Sequence, residues 1–145
     1  MRRMLSMLAL LGGAALVMTG ANSSSMVTYV GHEKVAEALA KNGDLVKAPD
    51  LTVLGANRNG AGQVEVHDKE TDVMYVVDGS ATFVTGGQMI GGKVTGPGQV
   101  RGTDIKGGEV HHLAKGDVIV IPAGIPHWFK EVPQSISYYV VKVLK

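Results

Sequence analysis

Cysteine is absent from this chain. No disulfide can staple the fold, no thiol can act as nucleophile or metal ligand, and no N-terminal cysteine can carry a lipid. A dominant charge is also missing: 14 Lys and Arg stand against 13 Asp and Glu, a balance that recruits neither nucleic acid nor an anionic membrane surface. Long apolar runs are missing with one exception, Met4 to Met18, which is short for a membrane span and contains two glycines. Helical periodicity is scarce as well. Only His32 to Asn42 carries it, with Val35, Ala38 and Leu39 on one face and Gly43 as the expected C-cap.

The exceptional apolar run follows the basic Met1-Arg2-Arg3 and precedes the small residues Thr19-Gly20-Ala21. That order is the pattern of a cleaved secretory signal peptide, residues 1–21. Its removal takes away two basic residues and no acidic one, leaving 12 against 13. The mature chain is therefore expected to be periplasmic or secreted, with no membrane attachment after cleavage. Residues 22–50 form an N-terminal segment holding the short helix, and residues 51–145 form the main domain.

Beyond Pro49 the chain consists of short β-branched and aromatic runs divided by glycine. Strands are expected near Leu51–Leu54, Gln63–His67, Val73–Val77, Ala81–Thr85, Val110–Leu113, Val118–Ile121 and Ser135–Leu144. Many short strands at close spacing indicate an all-β sandwich or barrel. Gly86 to Gly108 interrupts them with glycine and polar residues and reads as a decorated surface hairpin.

Two stretches carry chemistry. In the first, Gly116-Asp117 starts a Val/Ile strand that Pro122, Gly124 and Pro126 terminate just before His127. In the second, alternation sets Gln63, Glu65 and His67 on one strand face, and Asp72, Met74 and Val76 on one face of the next. If those two strands pair, Glu65, His67 and Asp72 converge. With His127 they make two imidazoles and two carboxylates, an N/O ligand set for a divalent transition metal.

The pattern resembles the cupins, small double-stranded β-helix or jelly-roll barrels. Gly116, Pro122, Gly124 and His127 match the second cupin motif, with Glu131 in place of its final asparagine. The first motif is matched more loosely: His67 takes its second histidine, Asp72 its glutamate and Gly79 its closing glycine. Glu65 stands where the first histidine belongs, and the leading glycine is displaced to Gly60 or Gly62. The resemblance implies a cupin barrel with one short N-terminal helix and one metal ion held by Glu65, His67, Asp72 and His127. Exchanging histidine for Glu65 hardens the site and favours Mn, Fe or Zn. It further implies a small-molecule ligand or substrate and a metalloenzyme of dioxygenase, isomerase or lyase type, the alternative being a non-catalytic binding cupin.

An unligated Glu65 is the candidate general base. Gln63, Met74, Phe83 and Phe129 are the candidate pocket residues. Asp68 and Glu70 read as turn residues, Arg58 as a solvated loop side chain in preference to a grip on a substrate carboxylate at the barrel mouth, and His111 and His112 as adjacent residues of which at most one faces the cavity. Cupins are commonly dimers, and Ser135–Leu144 is the strand expected to pair across a homodimer interface.

Overall fold

A computed structural model describes residues 26–145; the signal segment, residues 1–21, lies outside the described residues. Among them, no helix is long and apolar enough to cross a membrane. Helix α1 (His32–Lys41) comes first and buries Ala38. Asn42, at φ 58°, closes it by donating its backbone N–H to the Ala38 carbonyl. Asparagine tolerates this left-handed conformation. Gly43 is thereby released from the capping role expected of it and opens β1 (Gly43–Lys47). The sheet thus begins ahead of residue 51.

The strands that follow are β2 (Leu51–Arg58), β3 (Val64–His67), β4 (Glu70–Thr85), β5 (Gln88–Ile90), β6 (Lys93–Gly96), β7 (Gln99–Gly102), β8 (Asp104–Lys106), β9 (Glu109–Ala114), β10 (Val118–Ile121), β11 (His127–Glu131) and β12 (Ile136–Leu144). One antiparallel sheet runs β1-β2-β12-β4-β10 and a second runs β6-β7-β3-β11-β4-β9. The core joins them: Met74, Val76, Ile136, Tyr138 and Val140 of the first sheet pack with Ala81, Phe83, Leu113 and Phe129 of the second. This is the all-β jelly roll that the sequence implies.

Strand β4 belongs to both sheets. Where two strands were expected, Val73–Val77 and Ala81–Thr85, one 16-residue strand continues through Gly79. Ser137 and Tyr138 of β12 face Asp78 and Val76, so β4 carries an extra residue there. Such a bulge moves the inward face by one position. Asp72, Met74 and Val76 point inward before it, Ala81 and Phe83 after it.

Two other expectations are corrected. Strand β12 is hydrogen-bonded on both sides, to β2 and β4. It therefore has no free edge for pairing with a second chain. The segment from Gly86 to Gly108 is more than a surface hairpin. Strands β5 and β8 pair only with each other, but β7 joins β3 and extends the second sheet.

Gly79 has φ +82°, and a Cβ there would sit 2.0 Å from the Ser135 carbonyl oxygen. Both the conformation and the backbone contact exclude a side chain. Gly79→Ala should lower stability by about 2 kcal/mol or more, read from the urea midpoint, whereas a surface substitution should stay within about 0.5 kcal/mol.

Candidate metal centre

Cross-strand register assembles the site. Glu65 of β3 lies opposite His127 of β11 on one side and Arg101 of β7 on the other. His67 lies opposite Gln99, and Asp72 of β4 lies opposite Lys142 of β12. Strands β3 and β4 do not pair in the way expected from the sequence. Asp68-Lys69 instead carries the chain from the second sheet to the first, so Asp72 approaches the histidines from across the barrel.

The turn before His127 is tied down at several points. Gly124, at φ +83°, donates its N–H to the His67 carbonyl at 2.8 Å, and Gly86 donates to the Pro126 carbonyl at 2.8 Å. The His127 ring then donates Nδ1–H to the Ile125 carbonyl at 3.0 Å. His67 Nδ1 pairs with the Gln99 side-chain oxygen in the same way. An imidazole that donates from Nδ1 keeps the Nε2 lone pair for a metal. Both histidines therefore have Nε2 as the nitrogen that could ligate a metal.

Among the described residues, the buried polar or charged ones are His67, Asp72 and His127, at 6%, 5% and 6% exposure. Glu65 is half-buried beside them. His67 Nε2 lies 3.4 Å from a Glu65 oxygen and 3.6 Å from Asp72 Oδ2, and His127 Nε2 lies 4.0 Å from the same Asp72 oxygen. Two ligands each about 2.1 Å from one ion are at most about 4.2 Å apart, so these spans fit a common centre. Glu65, His67 and His127 each offer one ligand atom within 4.8 Å of the other two. The residues fit a divalent metal.

Two cations also occupy the site. Arg101 hydrogen-bonds one Glu65 oxygen. Lys142 reaches both Asp72 oxygens, at 2.9 and 3.0 Å, and Glu70 at 3.1 Å. Burial pushes the Glu65 carboxyl up, but the His67 hydrogen bond and the Arg101 charge outweigh it and hold the pKa at about 2. Burial works against protonation of His67, yet the Glu65 hydrogen bond and the Asp72 charge leave its pKa raised. Burial dominates at His127 and leaves its pKa lowered. His127 is therefore the readier lone-pair donor, and His67 must lose its proton to ligate.

A cavity of about 140 Å³ adjoins these groups, lined by Leu54, Met74, Phe129 and Val140 together with Gln63, Arg58, Tyr138 and Lys142. Of the expected pocket residues, Gln63, Met74 and Phe129 line it. Phe83 does not. It is fully buried, with its ring 6.1 Å from His127 and 4.7 Å from Phe129, and so backs His127 instead of the pocket. Arg58 was expected to be solvated in a loop. It ends β2 and lines the cavity. Glu70, expected in a turn, is the first residue of β4 and forms a second acid–histidine group with His67 and Asp72. His111 and His112 lie on β9 away from the cavity, where His111 pairs with the Thr85 hydroxyl.

Sequence reasoning missed Lys142, Arg101 and Gln99. Lys142 had a signal: Ile136, Tyr138, Val140 and Lys142 alternate along one strand, so Lys142 shares the inward face. Arg101 and Gln99 depend on the register of β7 against β3, which a glycine-rich segment does not disclose.

The sequence model of the cupin family matches residues 50–143. The chain belongs to the cupin family. No curated protein matches it. Among solved structures, this cupin is similar to a protein from Bacillus halodurans at 13% identity (TM-score 0.59, 85% of each chain covered). It is also similar to an uncharacterized protein with a double-stranded β-helix domain from Klebsiella pneumoniae, at 18% identity and TM-score 0.52, covering 76% of this chain and 86% of that one. A third match is the cupin domain of Schizosaccharomyces pombe Cnp3, at 10% identity and TM-score 0.52, covering 71% of this chain and 59% of that one. At such identities the likeness is one of fold.

The Lys142–Asp72 pair generates a test. In metal-free protein, Lys142→Met leaves Asp72 buried beside Glu70 without its counter-charge and should cost about 3 kcal/mol in urea unfolding. Added Zn²⁺ or Mn²⁺ should recover most of that loss and should bind this variant more tightly than wild type, measured by competition with a chelating dye.

Proposed function

We propose that this cupin binds one divalent transition metal through His67, His127 and the carboxylates of Glu65 and Asp72, and acts as a metal-dependent enzyme on a small molecule in the adjoining cavity. One observation carries the reading: both imidazoles are fixed through Nδ1 and bring Nε2 to within 4.0 Å of the same Asp72 oxygen, with Glu65 beside His67. The ligand set of imidazole and carboxylate suits Mn, Fe or Zn. When bound, the metal would supply Lewis acidity next to the cavity. Glu65 takes the role of ligand. A carboxylate with a pKa of about 2 is too weakly basic to be an efficient general base near neutrality.

A second reading is favoured by the two ion pairs. Arg101 and Lys142 already neutralise Glu65 and Asp72, as in a barrel that binds its ligand without metal. The difference is one of charge balance, and it is measurable.

Export to the periplasm or the medium belongs to the same proposal and rests on the signal-like pattern of residues 1–21. A homodimer does too. With β12 committed on both sides, one available edge is β10, where Val118 and Val120 are exposed. Protein recovered from its native compartment should begin near Asn22 by N-terminal sequencing and elute as a dimer in size-exclusion chromatography with light scattering.

Elemental analysis of that protein should find about one transition-metal ion per chain, and chelator should lower the melting temperature. His127→Ala should keep the circular dichroism spectrum and lose metal affinity by at least about tenfold. Protonation competes with ligation. Because the pKa of His67 is raised above 6.5, metal affinity should already be falling as the pH drops to that value. Absence of metal together with indifference to chelator would leave only the metal-free reading.

A further inference from the structure

Three cationic side chains line or border the cavity, and only two have a carboxylate partner. Arg101 is paired with Glu65, and Lys142 with Asp72 and Glu70. Among the described residues, no carboxylate lies within ion-pair distance of Arg58. Its Nε is buried without any hydrogen-bond partner. A buried donor left unsatisfied costs free energy, and an arginine without a counter-charge costs more. Native structures rarely keep such a group without a use.

The guanidinium is nonetheless held in place. Its Cζ stacks over the Phe129 ring at 5.0 Å from the centroid. It also lies beside the Tyr138 hydroxyl, which it hydrogen-bonds, and beside Gly62, where a Cβ would come within 2.7 Å of Arg58 Nη1. Gly62 is itself fixed, donating its N–H to the Phe129 carbonyl at 2.9 Å and accepting from the Trp128 indole at 2.7 Å. A planar fork of donors is thus presented at the cavity wall, with Gln63 and Tyr138 lining the same space. Leu54, Met74 and Val140 supply apolar lining to the same cavity. The cavity volume, about 140 Å³, is that of a handful of water molecules.

We propose that the ligand of this cavity is a small carboxylic acid, its carboxylate anchored by Arg58 and its short apolar body lying against Met74 and Val140. A guanidinium matches a carboxylate in a two-point contact, which fixes the orientation of the ligand as well as its charge. The proposal deepens the ligand-binding reading given above and rests on this cavity being the ligand site. It does not require the metal.

Calorimetric titration with isobutyrate and with isobutyramide, an uncharged molecule of the same shape, tests it. Wild type, Arg58→Lys and Arg58→Gln are each used with and without bound Zn²⁺. Wild-type protein should bind isobutyrate about tenfold or more tightly than the amide in both metal states. Arg58→Gln should abolish that preference, and Arg58→Lys should retain part of it because the charge remains and the fork is lost. Circular dichroism verifies that the variants fold, and Arg58→Lys carries the comparison if Arg58→Gln does not. Equal binding of acid and amide, or no binding of either, overturns the proposal. So does a carboxylate preference that survives in Arg58→Gln or appears only with Zn²⁺, since the metal is then the anchor. Tighter binding of inorganic phosphate than of isobutyrate overturns the carboxylate assignment. An Arg58-dependent preference in protein that takes up no metal upholds this proposal while removing the metal-enzyme reading.

Discussion

The structure turns on one strand that serves two sheets. Strand β4 starts in the first sheet, where it delivers Asp72 into the barrel, and ends in the second, where it places Phe83 behind His127. The two jobs demand opposite side-chain parity, and the extra residue near Val77 provides it. Without that bulge an inward Asp72 would force Phe83 outward, and the His127 ring would lose its backing. The closing glycine of the first motif has its reason here. Gly79 lies just past the bulge, pressed against the Ser135 carbonyl where no Cβ can fit.

Given that frame, the electrostatics of the site follow from burial. Two carboxylates in a half-dry barrel need compensating charge, because an uncompensated buried anion is far more costly than a paired one. Register supplies the compensation: Arg101 is the direct cross-strand neighbour of Glu65, and Lys142 that of Asp72. The imidazoles are governed by the same surroundings but respond differently. Burial prevails at His127, while the acids around His67 keep it easily protonated. A divalent ion held here would have to displace a proton at His67 and compete with Lys142 for Asp72.

How much of this was legible in the sequence depends on the range of the signal. His127 was legible because its positioning is local: Pro122, Gly124 and Pro126 fix a turn that neighbouring backbone groups complete. Glu65, His67 and Asp72 were legible through alternation, which fixes a face regardless of partner. The partner itself was not. The pairing expected between the strands of His67 and Asp72 is replaced by a crossing between sheets, because Asp68-Lys69 ends one strand and starts another in the opposite sheet. Phe83 faces inward as expected but packs behind His127 and Phe129 instead of lining the cavity, a depth that strand alternation does not disclose. Arg101 and Gln99 lay hidden in a glycine-rich segment whose composition suggests a surface loop, although β7 is an interior strand of its sheet. Long-range register is the information that a single sequence withholds.

Arg58 shows the same limit from the other side. Its neighbours Asn57, Asn59 and Gly60 suggest a solvated turn, and the side chain would be unremarkable there. In the fold it closes β2 at the cavity, packed on Phe129 by an aromatic contact that needs no counter-ion. That contact lowers the cost of holding the charge but leaves its buried Nε without a partner. The barrel thus contains two kinds of cation: Arg101 and Lys142, which balance its own acids, and Arg58, which balances nothing in the described chain. The first kind compensates the acids of the site. The second has an aromatic and a hydroxyl neighbour but no carboxylate partner among the described residues, which is why a ligand carboxylate is its proposed complement.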